Sequence, residues 1–137
     1  MPDLSQLNEF LARDFPQTRC TVVALGERTA TVRHLIGEAE LRPGGTVSGP
    51  VLMAVADVAL YVAILAEIGI VPLTVTTQLS VNFMRKPAAG HDILGVCTLL
   101  KLGRSLAVGE VALYSQGRDE MVAHAVGTYS IPPRAQA

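Results

Sequence analysis

Apolar positions in this chain change their period several times, and each change marks an element. Leu4, Leu7, Phe10 and Leu11 recur at helical spacing and Pro16 follows, predicting an amphipathic helix over 3–14. The β-branched runs Thr18 to Leu25 and Thr29 to Ile36, separated by Gly26-Glu27, predict a hairpin. Residues 37–49 are polar and glycine-rich and predict a loop. From Pro50 to Gly69 apolar residues fill every side of a helical projection. Strict alternation then returns: Leu73, Val75, Thr77, Leu79, Val81 and Phe83 interleave with Thr74, Thr76, Gln78, Ser80, Asn82 and Met84. Strands at 91–102, 105–116 and 120–131 follow, joined at Leu102-Gly103-Arg104-Ser105 and at Gln116-Gly117-Arg118-Asp119 and stopped by Pro132-Pro133.

A helix without a polar stripe must be covered on all sides, and strands joined by tight turns pair antiparallel. The expected fold is therefore α+β, a curved antiparallel sheet wrapped around a long central apolar helix. The 137 residues suit one domain (1–137), with an N-terminal helix at 1–15, a core at 16–132 and a tail at 133–137.

Composition adds a partner. Hydrophobic residues make up 50% of the chain and charged residues only 17%, below the roughly 25% of an ordinary soluble domain, so a second copy is expected to cover part of the surface. A net charge of −1 argues against nucleic acid as a partner. The 50–72 segment imitates a membrane span, but Asp57 interrupts it and no basic residue flanks it closely, so no membrane partner is expected. The first residues show neither the basic start nor the apolar stretch of a secretory signal, so a cytoplasmic location is expected. Cys20 and Cys97 form no CxxC pair, and His34, His91 and His124 lack metal-ligand spacing; no metal and no cofactor is expected. Neither GxSxG, GxxxxGK[ST] nor GxGxxG occurs.

Two features of the central helix carry candidate chemistry. Asp57 is the only charge between Pro50 and Glu67, and a carboxylate in apolar surroundings needs a partner or a function. Gly49 follows Ser48, a good cap, and precedes Pro50, so it opens the helix where free N–H groups stabilise a carbonyl oxygen gaining charge. Eight residues of helix separate the two by a rise of about 12 Å and a turn of about 80°. One chain cannot easily bring both to one reacting centre; two helices antiparallel across a two-fold axis can. Arg85 and Lys86 end the alternating strand, and Lys101 and Arg104 flank the next hairpin, a set able to clamp phosphates.

At these residues the sequence resembles hotdog-fold acyl-CoA thioesterases of the PaaI-like (phenylacetate-degradation) type, over about residues 16 to 132. That family opens its central helix with His-Gly-Gly and has an acid nine positions after the His; here the tripeptide is Ser48-Gly49-Pro50 and Asp57 holds the ninth position. The segment Val81-Asn82-Phe83-Met84-Arg85-Lys86-Pro87 resembles the family's strand ending, and Leu102-Gly103-Arg104-Ser105 its hairpin turn. The resemblance implies an obligate homodimer, often a dimer of dimers (homotetramer). It also implies Asp57 as general base or nucleophile, the Gly49 N–H of the other subunit on the thioester carbonyl, and a hydroxyl from Thr76 or Thr77 placing water. Thr76 is preferred because it lies in the strand's polar row.

The chain departs from the family at Ser48, at Pro50, at Arg42 where relatives often have Asn or Gln, and at Tyr61 where they often have a small hydroxyl residue. Arg42 beside the site would pair with Asp57 or bind an acidic acyl group. Ala54, Ala59, Ala63 and Ala66 leave room beside the helix, and Tyr61 and Met53 are placed to close it. The favoured expectation is hydrolysis of a short-to-medium-chain or aromatic acyl-CoA at a site shared by two subunits. The alternative is a non-catalytic acyl-CoA-binding module using the same pocket.

Overall fold

The computed structural model describes residues 1–134. Helix α1 (Leu4–Asp14) is started by an Asp3–Gln6 capping box and buries Leu7, Phe10 and Leu11. Strands β1 (Cys20–Gly26) and β2 (Thr29–His34) form the first hairpin, and a 3-10 turn at Glu38–Glu40 leads to helix α2 (Gly49–Ile68). Strands β3 (Val75–Phe83), β4 (Ile93–Leu102), β5 (Leu106–Ser115) and β6 (Met121–Ser130) complete one six-stranded sheet. All its pairings are antiparallel, in the order β1-β2-β4-β5-β6-β3. The expected wrap around a central helix is what forms. The predicted tail at 133–137 falls partly outside the described residues, which end at Arg134.

Three inward-facing glycines let α2 lie close on the sheet. Gly109 and Gly127 are register partners on β5 and β6, and a Cβ on either would stand 2.7 or 2.6 Å from a methyl of Leu60. On β4, a Cβ at Gly95 would stand 2.9 Å from Val55. Leu60 and Val55 are fully buried in these hollows, so the helix ridge sinks into the sheet instead of riding on it.

The helix is not covered on every side, as its composition predicted. Pro50, Met53 and Ala54 are exposed and Asp57 is half-buried, a stripe at helical spacing that the protein's own sheet leaves open. By length and composition α2 is apolar enough to cross a membrane (20 residues, mean hydropathy 2.2), yet 61% of its apolar window is buried inside the fold, the condition of a core helix.

The first hairpin turns at Glu27-Arg28, one residue later than predicted, with Arg28 at φ 56° and its N–H donating to Glu67 Oε2. The larger departure is on β3. The unbroken alternation from 73 to 84 predicts one face holding Val75, Thr77, Leu79 and Val81. Instead the register skips Thr77, so Thr76 pairs with Tyr129 while Leu79 pairs with Gly127. Thr77 is a bulge residue, and Thr76 joins the inner row with Leu79 and Val81.

Candidate active site

The bulge decides what Asp57 meets. Tyr129, inward and buried on β6, and Thr76, its cross-strand partner on β3, converge on the carboxylate from the sheet side. Thr76 Oγ1 donates to Asp57 Oδ1 at 2.6 Å. The Tyr129 hydroxyl lies 2.6 Å from the same Oδ1 and 2.8 Å from the main-chain carbonyl of Asp57. Oδ2 has no hydrogen-bond partner among the described residues. Burial first, and then the charge of Asp57, push the Tyr129 phenol far above its ordinary value, so it stays protonated and remains a donor. Thr77 points elsewhere: its hydroxyl donates to the Thr128 carbonyl, which removes it from the site. Thr76 reaches Asp57 because the bulge turns it inward, not because it lies in an outward polar row.

In front of Asp57 lies a pocket of about 440 Å³ walled by Phe10, Phe15, Tyr61 and Tyr129, four of the chain's six aromatic residues. Tyr61 is the hub of this wall, with ring centroids 6.1–6.2 Å from the other three. Its hydroxyl donates to the Pro72 carbonyl at 2.9 Å, so it contributes an apolar face to the pocket. Burial, and then Asp14 at the pocket mouth, raise its phenol above the ordinary value. The room therefore lies between α2, α1 and β3. Ala59 and Ala63 are buried against the fold and leave none, and Met53 is exposed outside the pocket.

Gly49 opens onto a different pocket, also about 440 Å³, which shares no lining residue with the first. It is the first residue of α2, and its N–H meets no acceptor among the described residues. Ser48 occupies the N-cap, but its side chain makes no capping bond, contrary to expectation. Phe83, Arg42, Arg85 and Lys86 line the same pocket. Arg85 is bound to Glu120 at 2.7 Å and to the Met121 carbonyl, whereas Arg42 and Lys86 have no ion pair among the described residues. Arg42 is thus at the Gly49 end and does not pair with Asp57 within one chain; no residue lining the Asp57 pocket is basic.

The four-residue basic clamp does not form in one chain either. Lys101 and Arg104 flank the turn beside Ser130 and the start of β3, whereas Arg85 and Lys86 follow its far end. Nine residues of strand, roughly 27 Å, separate the two pairs.

Among the described residues no group of three His, Cys, Asp or Glu side chains is placed to hold a metal ion. His34 and His91 bond main-chain carbonyls, and His124 bonds Glu110 on the outer face of the sheet.

A profile of the thioesterase superfamily matches residues 44–122, more than half of the chain, including Gly49, Asp57 and all of β3. The chain belongs to the thioesterase superfamily. Among solved structures it is similar to a candidate thioesterase from Silicibacter sp. TM1040, with 48% identity over 96% of this chain and 92% of that one, at a TM-score of 0.88. Two more distant structures share the fold. The PaaI protein of the E. coli phenylacetic acid degradation operon is 19% identical over 93% of this chain and 92% of that one, at a TM-score of 0.74. A Streptococcus mutans protein bound to acetyl CoA is 20% identical over 88% and 94%, at a TM-score of 0.72. No functionally curated protein matches the chain significantly. The fold is the hotdog fold, which the PaaI structure shares, and as a member of the superfamily the protein is a thioester hydrolase.

Tyr129 is the site residue that sequence reasoning misses. It reads as one more inward residue of an alternating strand; only its pairing with Thr76 across the bulge marks it.

Proposed function

We propose that this thioesterase hydrolyses acyl-CoA carrying a short-to-medium-chain or aromatic acyl group, at a site shared between two subunits of a homodimer. The observation that carries the reading is the separation of Gly49 and Asp57 into two pockets on one rigid helix. An oxyanion donor and a base must both stand near ~3 Å from one carbonyl, which eight helical residues prevent within a chain. An antiparallel pairing of two α2 helices brings Asp57 of one protomer opposite Gly49 of its partner.

In this arrangement the acyl group enters the aromatic pocket and the CoA moiety leaves past Arg42 and Lys86 of the partner. The Gly49 N–H donates to the carbonyl oxygen as it gains charge. Oδ2 of Asp57 takes a proton from a water that attacks the carbonyl carbon; Thr76 steadies that water. The C–S bond then breaks, and the thiolate takes the proton from Asp57, giving free acid and CoA thiol. Direct attack by Asp57, giving a mixed anhydride that water cleaves, leads to the same products. Thiolate is a good leaving group, so the lack of a histidine at the site is tolerable. The acetyl CoA held by the S. mutans protein supports the ligand class. The aromatic wall supports an acyl group of modest size. Exposed Met53, Val75, Phe83 and Met84 support the dimer, and a dimer of dimers is the assembly proposed. A cytoplasmic location is proposed with it, in keeping with the free, buried thiols of Cys20 and Cys97.

Complementation tests the shared site. Asp57→Asn removes the base, and Gly49→Pro removes the N–H at a helix position that tolerates proline. Each variant alone is expected to fold and to release no thiol from a panel of short, medium and aromatic acyl-CoAs. Co-expressed, they form mixed dimers with one intact site, recovering about a quarter of wild-type turnover. Continued turnover by Asp57→Asn, or no recovery in isolated mixed dimers, would refute the reading.

A further inference from the structure

We infer that Tyr129 is the positioning residue of this active site: its phenol fixes the rotamer of Asp57 and, with Thr76, saturates Oδ1, so that Oδ2 alone is left to act. The inference rests on the proposal that Asp57 is the reacting carboxylate and adds the device that orients it.

The geometry is specific. One hydroxyl reaches two oxygens of the same residue, the Asp57 main-chain carbonyl at 2.8 Å and Oδ1 at 2.6 Å. A single phenol that spans both ties the side chain to its own helix backbone and leaves little freedom at χ1 and χ2. Thr76 Oγ1, at 2.6 Å on the same Oδ1, closes the arrangement from the neighbouring strand. Tyr129 is itself immobilised: it is 3% exposed and its ring stacks on Tyr61 at 6.1 Å. A structural tyrosine would need only one acceptor, and the carbonyl would serve. The second contact, to a carboxylate in the mouth of a pocket, orders a group that solvent would otherwise leave free to turn.

The groups facing Asp57 are few. Tyr129 comes from β6, Thr76 from β3 and Tyr61 from α2 itself; Asp14, the last residue of α1, lines the same pocket, and no cation does. With no cation at hand, the two hydroxyls are the main local support for the carboxylate's charge within the chain.

The test is Tyr129→Phe, which keeps the ring and its stacking, assayed beside wild type and Asp57→Asn across pH. Loss of a hydrogen bond to a charged group predicts kcat lower by roughly 10- to 100-fold with KM changed less than about threefold. A phenol donates more strongly to a carboxylate than to a neutral carboxylic acid, so its removal is expected to move the acid limb of the kcat/KM profile to higher pH. Thr76→Val, which removes the other donor, moves the limb the same way. Site-specific difluorotyrosine at 129 keeps the fold and makes a stronger donor, which moves it to lower pH and serves if the phenylalanine variant does not fold. If Asp57→Asn is inactive while both Tyr129 replacements keep the wild-type acid limb, the inference is overturned and the shared-site reading stands. If Asp57→Asn turns over normally, the reading itself fails.

Discussion

Asp92, just before β4, and Asp57, on α2, are both carboxylates, and their partners separate a structural role from the chemical one proposed for Asp57. Asp92 accepts from the Ile36 N–H at 3.0 Å and from two nitrogens of Arg33 at 2.9 and 2.7 Å, using both of its oxygens. The Ile36 N–H foremost, and then Arg33, hold its carboxyl below the usual range despite partial burial. Because its folded value is depressed, the stability it confers is complete above the unfolded value of about 3.9 and fades as pH falls through the folded one. Asp92→Asn is therefore expected to cost about 1–2 kcal/mol at neutral pH, discounted for the exposed guanidinium, in urea titrations. The gap to wild type should close below about pH 4; a gap constant with pH would place the effect elsewhere. Asp57 keeps one oxygen free over a cavity, and its donors are uncharged hydroxyls. Its position in the chain was legible as a lone charge in an apolar helix, whereas its donors were not, since they come from strands 19 and 72 residues away.

Between elements, the contact that sets the depth of α2 is Leu60 over the Gly109–Gly127 pair. A methyl at Gly109 would also stand 3.1 Å from Leu99 and 3.3 Å from the Thr98 carbonyl, so the sheet cannot yield on that side. Gly109→Ala is expected to destabilise by about 1–3 kcal/mol. Adding Leu60→Ala, which empties the hollow, should make the pair less costly than the sum of the two changes, measured as a coupling in a double-mutant cycle; simple additivity would show that the two do not meet. The periods along the chain predicted every helix and strand of this layer because alternation and helical spacing are local signals. They missed the bulge at Thr77, because an unbroken alternation carries no mark of where a partner strand slips by one residue.

At the scale of the molecule, the open stripe of α2 and the β3 edge form one apolar region, with Met53 42% and Phe83 53% exposed. That edge carries unpaired main-chain groups along β3, whereas the opposite edge strand β1 is blunted by Asn8, which bonds both main-chain groups of Val22. The free edge is therefore the one open to the second copy of the proposed dimer. Met53→Glu sets a charge one turn before Asp57 and is expected to weaken self-association by roughly 100-fold or more in sedimentation experiments, with turnover falling in step. Full activity in a demonstrably monomeric variant would contradict a shared site.

The sequence by itself determined the helix and strand order, the aliphatic centre, the oxyanion candidate Gly49 and the acid Asp57, because each is written in local period or in a residue out of keeping with its neighbours. Only the tertiary structure decided which hydroxyls hold that acid, which face of α2 stays open, and that the basic residues divide between opposite ends of β3. Those outcomes depend on register and on the depth of helix packing, quantities that exist only once distant segments of chain lie side by side.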